Sequence, residues 1–60
     1  MKVYVNQVQG GCVVEIVSGR SVLFSRNYFD WTADQVWDYI LLDCGGESNY
    51  IETMLELYSE

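Results

Sequence analysis

Sixty residues with three Lys+Arg, nine Asp+Glu and no His carry a net charge of −6. That argues against a partner held mainly by its own negative charge, such as nucleic acid or an anionic membrane surface. Without His there is no Ser-His or Cys-His catalytic pair, and two Cys fall short of the four Cys/His ligands of a structural zinc site.

Half of the residues are apolar and 15% are aromatic, too rich a composition for a disordered chain. Residues 1–60 read as a single domain with a small core. No apolar run reaches the roughly 18 residues of a membrane span. The start of the chain, Met1 to Gln7, is broken by polar residues and lacks a signal-peptide core. The expected location is the cytoplasm.

The first half reads as β. Lys2 to Val8 and Cys12 to Val17 are rich in Val and Ile and flank Gln9-Gly10-Gly11. A Gly-Gly pair supplies the positive φ angles of a tight hairpin. With Gly10-Gly11 as the two-residue turn, Val5 faces Ile16, Gln7 faces Val14 and Val3 faces Ser18. A second turn at Gly19-Arg20 leads into a third strand from Ser21 to Arg26. Val3, Val5, Cys12, Val14, Ile16 and Leu23 then share one face. Tyr4, Val8, Val13, Val17, Val22 and Phe24 share the other. Both faces are apolar enough to bury, so alternation alone leaves open which one takes the helices.

The second half reads as helix. Thr32-Ala33-Asp34-Gln35 fits a capping box, and Trp31 with Val36 fits the accompanying hydrophobic staple. Ala33, Val36, Trp37, Ile40, Leu41 and Cys44 follow helical spacing, and Gly45-Gly46 ends the run. Ser48 or Asn49 can cap a second helix with Tyr50, Ile51, Met54, Leu55, Leu57 and Tyr58 on its apolar arc. The fold class is α+β: a small three-stranded antiparallel sheet, a hairpin meander, packed against two C-terminal helices in the order βββαα.

Charge divides the chain more sharply than composition. Residues 1–29 hold Lys2, Arg20, Arg26 and the single acid Glu15, for a net +2. Residues 30–60 hold no cation and eight acids, Asp30, Asp34, Asp38, Asp43, Glu47, Glu52, Glu56 and Glu60, for a net −8. The first three acids recur every four residues, and Asp43 follows after five. Like charges at i,i+4 cost a helix about 0.2–0.5 kcal/mol per pair, and a purely solubilising surface normally mixes the signs. The acids are read either as solvated helix faces or as ridges that imitate a phosphate backbone. Leu42 projects away from the apolar stripe, beside Asp38, Gln35 and Tyr39. It is either covered by the second helix or a second subunit, or an isolated exposed apolar residue, or an apolar anchor in a binding surface. Phe29 is expected to fill the gap between sheet and helix, and Tyr28 and Tyr39 to be exposed. Cys12 and Cys44 read as reduced core thiols, with a disulfide between them as the alternative.

No motif for catalysis, metal binding or phosphate binding occurs, so no enzyme, metal or cofactor is expected. In size, acidity and separation of charge the chain is similar to small phage-encoded inhibitors, such as anti-CRISPR and anti-restriction proteins, some of which act as DNA mimics. The resemblance implies a protein-binding inhibitor that occludes the basic surface of a nucleic-acid-binding protein without touching nucleic acid or membrane itself. The binding residues would be Asp30, Asp34, Asp38, Tyr39, Leu42, Asp43, Glu47, Glu52 and Glu56. The alternative is an antitoxin-like module or small homodimer that uses an apolar sheet face, with the acids only as solubilisers. Either a monomer or a homodimer fits the sequence.

Overall fold

The computed structural model describes residues 1–58, the side chain of Tyr58 excepted. Strands β1 (Lys2–Val8), β2 (Gly11–Ser18) and β3 (Ser21–Phe29) form one antiparallel sheet in the order β1-β2-β3. Helix α1 (Ala33–Asp38) runs on into a π-helical segment (Tyr39–Asp43), and helix α2 (Glu47–Tyr58) follows. The βββαα order is the one that the hydrophobic periodicity predicts.

The register differs from the expected one by two residues. Val3 pairs with Ile16, Val5 with Val14 and Gln7 with Cys12, so the turn is Gln9-Gly10 and Gly11 belongs to β2. A shift of two leaves every side chain on its expected face of this hairpin. The face carrying Val3, Cys12, Val14 and Ile16 packs on Val36, Ile40, Tyr50, Ile51 and Met54 to form the core.

On β3 the expectation fails by one residue. Ile16 pairs with Phe24 but Val17 pairs with Val22, so Leu23 is the extra residue of a β-bulge. The bulge turns Phe24 into the core and leaves Leu23 exposed. The strand also continues past Arg26 to Phe29. Its alternation buries Tyr28 and turns Phe29 outward at 73% exposure, the reverse of the expected placement of those two rings.

The start of α1 is tied down at three backbone N–H groups. Thr32 Oγ1 accepts from Gln35 N at 3.2 Å, and Gln35 Oε1 accepts from Thr32 N at 2.9 Å, completing the capping box. Gln7 Oε1 accepts from Ala33 N at 2.8 Å, and its amide donates to the Gly11 carbonyl at 2.8 Å. Gln7 therefore joins β1, β2 and the helix start. Helix ends leave orphan N–H groups that need such partners. Thr32→Ala and Gln7→Ala should each lower stability by about 1 kcal/mol in chemical denaturation. Because the two residues serve different N–H groups, the losses should nearly add. An unchanged denaturation midpoint in either variant would mean that water replaces that bond at no cost.

The chain leaves α1 through a π turn, with Cys44 N donating to Tyr39 O at 3.1 Å. Gly46 N then donates to Ile40 O at 3.0 Å, one residue further back than the 6→1 closure of a Schellman motif reaches, with Gly45 at φ 87°. The widened turn interrupts the apolar stripe: Ile40 is buried and Leu41 is exposed, although simple helical spacing places both inside. Helix α2 begins at Glu47, two or three residues before the start that a Ser48 or Asn49 cap implies, and Asn49 Nδ2 donates back to Gly45 O at 3.2 Å. Leu57 is exposed despite its place on the expected apolar arc.

Candidate functional site

The helical layer carries the negative charge. Asp30, Asp34, Asp38, Asp43, Glu52 and Glu56 are exposed. Glu60 lies outside the described residues. Glu47 departs from the ridge reading. It is half-buried, and its Oε1 accepts from Val3 N at 2.9 Å. This carboxylate closes part of the free edge of β1 and fastens α2 to the sheet, so its role is internal.

The acids of α1 do not form one continuous ridge. The α-helical part sets Asp34 and Asp38 four residues apart. The π turn, in which the hydrogen bond spans five residues, then brings Asp43 round to the side of Asp38. Asp30 reaches the same place from the end of β3. Its backbone takes a left-handed φ of 64°, a conformation Asp tolerates better than most residues. Its N–H donates to Gly10 O at 2.8 Å, which locks that turn against the first hairpin. The result is an open groove of about 330 Å³ lined by Asp30, Trp31, Gln35, Asp38, Tyr39 and Asp43. Of these, Asp30, Asp38, Tyr39 and Asp43 are expected from the sequence. Trp31 and Gln35 are additional lining residues, and their positions next to the helix cap are what bring them there.

Aromatic packing fixes the groove wall. Trp31 lies 5.6 Å from the Tyr28 ring and 5.9 Å from Tyr39 between centroids, and Tyr39 lies 6.5 Å from Tyr50. Offset and edge-on contacts of this kind hold rings in place beyond simple burial. Tyr39 is thus half-buried, where exposure is expected. The ring contacts of Trp31 reach Tyr39, a turn beyond the Val36 of a hydrophobic staple. Beneath them the Tyr28 and Tyr50 hydroxyls share a buried hydrogen bond of 3.0 Å. Burial, with that bond second, pushes the Tyr50 hydroxyl far above the ordinary tyrosine range. The Cys44 thiol beside Tyr39, then burial, raises the Tyr39 hydroxyl too. The Arg26 guanidinium stacks over Tyr28 at 5.1 Å, and so it engages the cluster from the sheet side.

Leu42 is 77% exposed, so neither helix covers it. Cys12 is buried and Cys44 half-buried, and both are free thiols. Cys12 Sγ lies 3.2 Å from the Trp31 carbonyl, to which it can donate. Among the described residues no three Cys, Asp or Glu side chains are arranged to hold a metal ion. No helix among them is long and apolar enough to cross a membrane. No protein-family model, curated protein or solved structure matches the chain.

Proposed function

We propose that this chain is a non-enzymatic inhibitor that binds a basic, nucleic-acid-binding surface of another protein through its helical layer. The observation that carries this reading is the exposure of six carboxylates on a half-chain, residues 30–60, that contains no Lys or Arg. Such a surface accumulates negative potential and steers a basic partner toward it. The groove supports the reading in a specific way. Carboxylates beside the Trp31 and Tyr39 rings match a partner's Arg or Lys, which can pair with the acids and stack on the rings. Leu42 adds an apolar contact among the charges. This is the chemistry of the anti-CRISPR and anti-restriction class to which the charge separation is similar.

The test starts from proteins captured by the immobilised chain from a bacterial lysate and identified. Duplex DNA should displace a true target, because both occupy one basic surface. Asp34→Asn with Asp38→Asn, and separately Glu52→Gln with Glu56→Gln, should leave the fold intact. At least one pair should weaken target affinity several-fold at low salt, mainly by slowing association, and the difference should shrink as salt rises. If both pairs bind like the parent chain at low salt, the acids only solubilise the helices and the proposal falls.

A further inference from the structure

The helices cover one face of the sheet and leave the other bare. Tyr4, Val8, Val22 and Phe29 stand on that bare face at 47%, 45%, 54% and 73% exposure, with Val13 and Val17 half-buried between them. The face also holds a hollow of about 220 Å³ lined by Val8, Gly11, Val13, Asn27 and Phe29. These groups expose surface on the order of 500 Å², within the range of the largest apolar patch a monomer leaves wet. With the polar residues of the same face, it approaches the roughly 800 Å² per partner of a standard interface.

We propose that two copies of this chain pack sheet on sheet through this face. The area fits a second copy, and charge permits one here. The face carries one cation, Lys2, and one acid, Glu15, and every other acid lies in residues 30–60. It is the surface on which two chains of net charge −6 meet with least repulsion. Stacked sheets lie about 10 Å apart, so both acidic layers stay outermost, separated by more than the roughly 8 Å Debye length at physiological salt. With the strands antiparallel across the two-fold, the Val17–Val22 end of one copy meets the Gly11–Phe29 end of the other, and Val17 fills the partner's hollow. The dimer displays an acidic helical layer on each side.

Glu15 opposes this association. It sits mid-face on the central strand, held by Asn6 Nδ2 at 3.1 Å, and stacking takes its carboxylate out of water. Two signs follow that binding to a basic partner does not share. Dimerisation tightens as salt rises, because screening weakens repulsion between like-charged copies. It also tightens with Glu15→Gln.

Sedimentation equilibrium across a concentration series, from micromolar to millimolar, reads both. The parent chain should move from 6.9 kDa to twice that mass, with several-fold tighter association at high salt and in the Gln variant. Val22→Asp and Phe29→Asp lie on exposed positions and should each weaken association at least tenfold with an unchanged circular dichroism spectrum. Leu42→Asp, on the helical layer, should leave it unaffected. A monomer at millimolar concentration in high salt overturns the proposal. So does a dimer that ignores Val22→Asp and Phe29→Asp but is broken by Leu42→Asp.

Discussion

Gly11→Ala is expected to lower stability by about 3 kcal/mol, a large share of the stability of a domain this small. A Cβ at Gly11 would run into the backbone carbonyl oxygen of Tyr28, with the Tyr28 carbonyl carbon and Phe29 Cα also at 3.1 Å. These are backbone atoms of the paired strand and have no rotamer to escape into. Relief requires opening the β2–β3 ladder beside Tyr28, which also anchors the aromatic cluster. The neighbouring glycine is the control. Gly10 sits at φ 88° with nothing within 4 Å of an added Cβ. Gly10→Ala therefore bears only the left-handed backbone cost of roughly 1–2 kcal/mol. Thermal or chemical denaturation of the two variants should separate them clearly. Equal losses would mean that the strands part at Gly11 without cost.

That contrast also shows why the hairpin is only partly legible in the sequence. A Gly-Gly pair reads as the turn, since either residue accepts a positive φ. Only Gly10 serves the turn, and Gly11 is glycine because β3 passes too close for a side chain. The two-residue error is harmless to the face assignment, since strand periodicity is two. The bulge at Leu23 shifts alternation by one, and nothing local in Ser21 to Arg26 marks it. Every placement beyond it inverts: Phe24 goes in with Tyr28, and Phe29 goes out. The capping box at Thr32 is legible because it is a local contract between residues three apart. The Gln7 bond to Ala33 spans 26 positions and depends on the tertiary fold.

The acidic surface divides in the same way. Exposure of Asp34, Asp38, Asp43 and Leu42 follows from helical spacing. The groove does not, because it depends on a π turn and on Asp30 in a left-handed conformation. The five-residue step from Asp38 to Asp43 is the one trace of the π turn in the sequence. In an α-helix that step rotates the second acid well past the first, whereas the wider π turn brings it back toward the same side. Glu47 fits the acidic spacing as well as Glu52 does. Periodicity counts its charge but has no view of the Val3 N–H that takes it up.

The stability of the parent chain should fall steeply above about pH 10, and Tyr50→Phe should flatten that fall. Tyr50 is fully buried, and its hydroxyl shares its hydrogen bond with Tyr28. Its pKa in the fold is raised above the value of about 10 that an exposed tyrosine has in the unfolded chain. Below that pH both states hold the proton, and the contribution of the pair is complete. Above it the unfolded chain releases the proton while folded Tyr50 retains it. The unfolded state then binds fewer protons, and stability declines by up to about 1.4 kcal/mol per pH unit until the folded pKa is reached. Tyr39, also raised, adds to the decline with the same sign. Growing negative charge weakens the fold at high pH as well, but it does so nearly equally in parent and variant, and the comparison removes it. Near pH 8, Tyr50→Phe should be less stable by about 1 kcal/mol, because the buried Tyr28 hydroxyl loses its partner. With rising pH the two denaturation curves should converge and then cross, since phenylalanine has no proton to hold. Parallel curves across pH 9–12 would mean that Tyr50 ionises as readily in the fold as outside it. The hydroxyl pair would then not be the sealed joint between sheet and helices on which the groove wall rests.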